Sequence, residues 1–172
     1  MKIPLMTCFS LLAALGVSLG GCAAPAPAPA NAGTPSFYLP LDSGAAAIDP
    51  LAARDMISIY RRNNGLPALT LDPALQDEAR AAVLAMAQAN AVSATRLGPL
   101  SKRLQAAHAP HTTGVENVSA GYHTLAEAFS GWRESKPHNA NMLAPTARHM
   151  GIATAYAPGS KYKVFWALVL TD

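Results

Sequence analysis

Cysteine is nearly absent. The 172-residue chain holds two, Cys8 and Cys22, both near the N-terminus. That excludes a disulfide-stapled secreted scaffold and a zinc site built from four cysteines. Charge is scarce as well, at 13% of residues, and the net +3 comes from 13 basic against 10 acidic side chains with no Lys/Arg run. Nucleic-acid recognition needs a basic stripe or patch, so this weak excess argues against it. Aromatic residues make up 6% while hydrophobic residues reach 51%. The apolar content is therefore mostly aliphatic, and it is too high for a disordered chain. The length suits one domain.

What the N-terminus does carry is an address. Lys2 precedes an apolar run from Ile3 to Leu19, shorter than the ~20 residues of a membrane span. It ends in Leu19-Gly20-Gly21-Cys22. Small residues just before a cysteine, at the end of an apolar stretch, read as a bacterial lipoprotein signal. Residues 1–21 are then the signal peptide and Cys22 the lipidated residue, which anchors the chain to a membrane outside the cytoplasm, in the periplasm or at the outer membrane. Cys8 leaves with the signal. Ala23 to Pro35 reads AAPAPAPANAGTP, and alternating Ala-Pro favours extended polyproline II, a semi-rigid spacer. Residues 22–48 are the expected linker and 49–172 the domain. Phe37, Tyr38 and Leu39, late in the linker, are expected to dock on the domain as an edge.

Within the domain, Asp49-Pro50 is a helix start, a capping acid followed by proline at the first helical position. That helix runs through Arg62 and stops at Asn63-Asn64-Gly65. Asp72-Pro73 repeats the signal, and Leu75, Ala79, Ala82, Val83 and Met86 stripe one face as far as Asn90. Pro99 to His108 is a shorter helix with Lys102 and Arg103 outward; Arg61-Arg62 and Lys102-Arg103 both read as solvated faces. Thr124 and Glu127 have capping-box spacing, opening a helix that buries Leu125, Ala128, Phe129 and Trp132 and ends before Pro137. His149 to Tyr156 and Tyr162 to Leu170 read as a strand hairpin across a turn at Ala157–Lys161. A hairpin alone is marginal, so a third strand is required, and Glu116 to Gly121 is the candidate. Helices first and strands after give an α+β class.

Three segments then stand together: Glu116-Asn117-Val118-Ser119-Ala120-Gly121, Trp132 to Leu143 (WRESKPHNANML), and Met150-Gly151-Ile152-Ala153. This set resembles the CAP superfamily, or SCP-like domain, of cysteine-rich secretory, antigen 5 and pathogenesis-related 1 proteins. In its bacterial, cysteine-free branch the pattern is ENI-x-x-G, then W-x-x-S-x-x-H-x-x-N-x-L, then GVG or GIA before a hairpin. Trp132, Ser135, His138, Asn141 and Leu143 fall at those spacings. Leu69-Thr70-Leu71-Asp72, with Leu75 and Ala79, also looks like the family's opening helix. The resemblance spans Pro50 to Asp172. It implies an α-β-α sandwich with a small antiparallel sheet between helical layers.

Family members place a histidine and glutamate tetrad in a central cleft, which in some binds a divalent metal. The resemblance carries two of the four positions to this chain, Glu116 and His138. Ala94 stands where the branch usually has another histidine, and Ser135 where eukaryotic members have the second glutamate. A half-present tetrad implies at most a weakly held zinc or calcium ion, since a zinc site typically takes three protein ligands. His108, His111 and His123 are the possible substitutes; as isolated histidines they, like His149, otherwise read as solvated polar residues. Glu116, His138 and Asn141 are the expected ligand-binding residues. Glu116 and His138 also suit a general base and its orienting partner. Each has an architectural reading beside the functional one: Glu116 as a cap for a turn, His138 and Asn141 as partners of buried carbonyls.

The expected function is thus a membrane-anchored, extracytoplasmic binding module of the bacterial envelope, whose ligand is a lipid, a glycan or a protein. The alternatives are a divalent-metal-binding protein and a peptidase-like hydrolase using Glu116 and His138, with Ser119 or Ser135 as nucleophile. Neither serine lies in a nucleophile-elbow sequence.

Overall fold

The computed structural model describes residues 33–93, 98–106 and 113–172; Cys22, Ala94, His108 and His111 lie outside them. The described chain opens with a 3₁₀ turn, Ser36–Tyr38, and continues α1 (Pro50–Asn63), β1 (Thr70–Leu71), α2 (Pro73–Ala89), α3 (Leu100–Ala106), β2 (Gly114–Ala120), α4 (Leu125–Glu134), α5 (Lys136–Met142), β3 (His149–Ala157) and β4 (Lys163–Thr171). Five helices and one sheet bear out the α+β expectation.

The helix starts follow the capping chemistry. The Asp49 carboxylate accepts the Leu51 and Ala52 N–H groups, and Asp72 accepts that of Leu75. Backbone N–H groups and the Ser36 hydroxyl hold the Asp49 carboxyl below its usual range, the Ala52 N–H contributing most. Helix α2 ends with Asn90 in the left-handed conformation at φ 50°. At α4 the Thr124 hydroxyl accepts the Glu127 N–H at 3.2 Å, while the Glu127 carboxylate reaches one residue beyond the cap, to the His123 N–H at 2.7 Å. Pro137 does not simply end α4; it sits in the first turn of α5, where its missing N–H costs nothing.

The strand order is β1-β3-β4-β2. The hairpin β3/β4 and the pair β2/β4 are antiparallel, with Val169 flanked by Glu116 and Gly151. The sheet is not wholly antiparallel as expected, because β1 pairs parallel with β3, Thr70 opposite His149 and Leu71 opposite Met150. Leu69–Asp72 is accordingly not part of an opening helix: the helix cannot begin before the Asp72 cap, so Thr70 and Leu71 are left to pair. Gln76 continues that pairing from the helix, accepting the Ile152 N–H at 3.1 Å and donating to the Ile152 carbonyl, which satisfies the edge of β3 beyond the end of β1. Close approach makes this possible. A side chain at Gly151 would collide with the Leu75 carbonyl of α2.

Strand β4 is central and covered on both sides, so its sequence VFWALVL is apolar throughout rather than alternating. Val164, Trp166, Leu168 and Leu170 join Ile57, Leu125, Trp132 and Met142 in one layer. Phe165, Ala167 and Val169 join Leu75, Ala79, Val83, Met86 and Leu104 in the other. Helices α1, α4 and α5 therefore cover one face and α2 with α3 the other, which is the expected α-β-α arrangement. The four aromatics assigned to the core behave accordingly, with Trp132, Phe165 and Trp166 fully buried and Phe129 half-buried against Tyr60.

Phe37 and Tyr38 form the 3₁₀ turn, from which Phe37 packs against the core, and Leu41 is 3% exposed within the core, its N–H bonded to the His123 carbonyl. Arg61 is no solvated residue but is fully buried. Its guanidinium donates to the carbonyls of Pro67, Met142, Ala144 and Ala147 at 2.8–3.0 Å. Arg62 beside it is exposed as expected.

Candidate functional site

Among the described residues strand β2 is a sheet edge, bonded to β4 alone, and its alternation sends candidate residues to opposite layers. Val118 and Ala120 pack with the α2/α3 layer, whereas Val115 packs with the other. Glu116 follows the first set. Its Oε2 accepts from Arg103 Nη2 at 2.5 Å, and Arg103 Nη1 donates to Glu78 Oε1 at 2.7 Å. The three side chains keep 15%, 12% and 8% of their exposure, in the order Glu116, Arg103, Glu78. The expectation that Arg103 points outward is overturned here, because its helix lies across β2 and α2 and two carboxylates draw the guanidinium inward. Arg103 Nε is buried with no hydrogen-bond partner among the described residues.

Two carboxylates on one guanidinium leave a net negative charge under cover. Burial pushes the Glu78 carboxyl up from its ordinary value, with Glu116 adding to the rise and Arg103 opposing it. An open groove of about 500 Å³ runs beside the triad, lined by Asp77, Glu78 and Arg103 and by Ala81, Ala82, Ala85 and Ala106.

On the opposite face of β2, α5 is clamped by amides. Asn141 Nδ2 donates to the Glu116 carbonyl at 2.8 Å and to Asn117 Oδ1 at 2.9 Å. Asn117 Nδ2 donates to the His138 carbonyl at 3.0 Å, and Tyr60 donates to Asn139 Oδ1 at 2.9 Å. The Asn141 side chain thus holds backbone and a neighbouring amide. Asn141 reaches the Glu116 carbonyl and Asn117 the His138 carbonyl, while the Glu116 carboxylate departs toward α3. The His138 imidazole is half-buried, and desolvation lowers its pKa.

The remaining candidates have other partners. Ser119 Oγ accepts the Trp132 indole N–H at 3.0 Å in the buried layer, which removes it from any exposed nucleophilic role. Ser135 flanks α5 without a side-chain cap bond. His123 Nδ1 lies 3.0 Å from Asp42, and His149 Nδ1 lies 3.0 Å from Thr70 Oγ1.

The divalent metal implied by the family resemblance can be tested against this donor set. Glu116 is committed to Arg103, so a metal on that carboxylate would sit against a guanidinium. No group of three or more His, Cys, Asp or Glu side chains among the described residues is placed to hold a metal ion. The described residues do not fit a resident divalent cation.

Sequence reasoning missed Arg103 and Glu78. The signal for Glu78 was present: it falls three residues after Leu75 and four before Ala82, inside the apolar stripe of α2. An acid in such a stripe requires a buried counter-charge.

Comparison with known proteins fits this architecture. Residues 54–170 match the family described as CAP: Cysteine-rich secretory protein family. Among solved structures, an extracellular protein containing an SCP domain from Bacillus anthracis is 25% identical, with a TM-score of 0.62 over 72% of this chain and 40% of its own. A cysteine-rich secretory protein from Staphylococcus aureus is 16% identical, with a TM-score of 0.59 over 71% of this chain and 37% of its own. This chain thus covers about two fifths of those two proteins. An outer surface protein from Borrelia burgdorferi is 14% identical, with a TM-score of 0.64 over 74% of this chain and 97% of its own. No curated protein matches. The family match, extending over more than half the chain on a sheet and helices of the same arrangement, makes this protein a member of the CAP family.

Proposed function

We propose that this protein is a lipid-anchored, extracytoplasmic CAP-domain binding module of the bacterial envelope that works without a metal cofactor. The observation that carries the reading is the Glu78–Arg103–Glu116 triad: the carboxylate on which a metal centre would be built is already satisfied by the protein's own cation. The extracellular and outer-surface character of the relatives supports the location. The Leu19-Gly20-Gly21-Cys22 segment supports lipidation at Cys22. The ligand belongs to the envelope and is a lipid, a glycan or a protein.

Thermal unfolding of the full chain with zinc, calcium or a chelator tests the metal-free part, and an unchanged Tm is expected. A tight, stoichiometric metal response lost in Glu116→Gln would overturn it. Saturable binding to isolated envelope lipids, glycans or proteins is expected for the module. Hydrolytic turnover abolished in His138→Ala would establish the hydrolase instead, drawing on the half-buried imidazole that the described contacts leave without a hydrogen-bond partner. Loss of labelled fatty-acid incorporation in Cys22→Ser tests the anchor.

A further inference from the structure

Helix α1 turns Ala53, Ile57, Ser58 and Arg61 inward, and its outward side, which carries Asp55 and Arg62, also exposes two large apolar residues. Ala52, Met56 and Ile59 stand at i, i+4 and i+7; Ala52 and Met56 are partly buried at the margin of the core, and Ile59, with Leu51 nearby, is exposed. Leu51 is 54% exposed and Ile59 51%. Of six large apolar residues that stand exposed among the described residues, three belong to this face, counting Tyr38 of the adjoining turn. Between the stripe and the Pro35–Phe37 segment runs an open groove of about 460 Å³. Its acid, Asp55, is held by Arg54 at 2.6 Å, and Arg62 lies exposed at the end of the helix.

The route of the chain says what covers this face. Pro35 and Ser36, which form one wall of the groove, follow Cys22 by 13 and 14 residues. Thirteen residues of Ala/Pro-rich sequence, at ~3.1 Å each, give a contour of roughly 40 Å between a lipid on Cys22 and this segment. Tethering turns docking into an intramolecular event at an effective concentration of order millimolar, so a small apolar surface suffices.

We propose that this face is the membrane-contacting surface of the domain. The stripe of α1 and the Pro35–Tyr38 turn settle into the headgroup region of the bilayer that holds the Cys22 lipid. Tyr38 lies at the interface, where aromatic rings with a polar tip partition, and the exposed Arg62 faces anionic headgroups. The inference rests on the reading of Cys22 as the lipidated residue. It fixes an orientation: the sheet face carrying α2, α3 and the Glu78–Arg103–Glu116 groove points away from the membrane, toward ligands in the surrounding space.

The cysteine content makes the test direct: the chain holds only Cys8 and Cys22, and on the lipoprotein reading the first leaves with the signal and lipid blocks the second. Ile59→Cys and, on the far side of the sheet, Arg80→Cys each supply a single labelling site; Arg80 is 60% exposed. The full lipidated protein, labelled with an environment-sensitive fluorophore, is reconstituted in phosphatidylethanolamine/phosphatidylglycerol vesicles containing nitroxide-labelled lipid. Quenching at position 59 is expected to exceed that at position 80 at least threefold, and Leu51→Asp is expected to abolish the difference. Equal quenching at both positions in vesicle-bound protein would overturn the docking while leaving the anchor intact. Protein that fails to associate with vesicles would overturn the anchor and the docking together. Self-quenching at position 59 without lipid quenching would assign the groove to a second copy of the chain and overturn the membrane contact.

Discussion

Arg61 lies in the layer of α1, α4 and α5, and Arg103 in the layer of α2 and α3, on opposite faces of one sheet. Both stand beside another basic residue in the sequence, and both are withdrawn from water. Arg61 faces four backbone carbonyls, which solvate the guanidinium with dipoles and tie Pro67 to the segment after α5. Burial lowers its pKa, with Arg148 adding to the effect. Arg103 faces two carboxylates and retains an unbonded Nε beside an open groove. A cation held by dipoles carries no compensating charge and serves the scaffold. A cation held by two acids leaves a charge imbalance at a surface where a ligand can arrive. The same residue type thus marks structure on one face and the candidate site on the other.

The comparison can be broken most forcefully at Arg61. Arg61→Ala leaves several buried carbonyls without donors, and a loss of about 3–5 kcal/mol in urea unfolding is expected, at ~1–3 kcal/mol for each buried group left unsatisfied. Arg61→Lys keeps the charge but not the planar fork, and should recover only a small part of that loss. Arg103→Ala should cost a similar or slightly smaller amount at neutral pH, because it strands two largely buried carboxylates. Its deficit has a distinct signature. The Glu78 carboxyl titrates above its unfolded value, so protonation favours the folded chain: the contribution is fully present below the unfolded pKa and lost as pH rises through the folded one. The Arg103→Ala deficit should therefore shrink in acid, whereas that of Arg61→Ala should not. Equal responses of the two variants would erase the distinction.

A smaller effect is expected at Asp49. Asp49→Ala removes the cap of α1 and should cost about 1 kcal/mol by thermal unfolding, marking the scale of an ordinary polar contact. His138 gives the smallest effect. Its pKa is depressed by burial, so the unfolded chain takes up the proton more readily. Stability should fall as pH drops from the unfolded histidine value through the folded one. His138→Gln should flatten that limb of the stability–pH curve.

Local signals carried much of the fold. Asp49-Pro50, Asp72-Pro73 and Thr124 each mark a helix start because the cap is a contact between near neighbours in sequence. The strand hairpin was readable from its β-rich runs and the turn residues between them, which are local, and the third strand at Glu116 from the need of a marginal hairpin for a further partner. The parallel β1 strand was not, because two residues show no period and their partners lie in β3, 79 positions along the chain. At the candidate site, Glu116, His138 and Asn141 were visible through motif spacing, but the direction of each side chain depends on which layer packs against an edge strand. Arg61 and Arg103 were hidden because adjacent basic residues ordinarily face water. The stripe position of Arg61, four residues after Ile57 and eight after Ala53, was the clue that outweighs that habit.

The two indoles give the molecule its own optical reporter. Trp132 and Trp166 are its sole tryptophans, both fully buried and edge to face at 6.2 Å. One indole N–H is bonded to Ser119 Oγ and the other to the Tyr122 carbonyl. All tryptophan emission therefore arises from the α1/α4/α5 layer, and none from the side that carries the Glu78–Arg103–Glu116 groove. A red shift in that emission reports loss of packing in this layer alone, so a ligand taken up on the far side would go unseen in the fluorescence unless it disturbed the sheet between them.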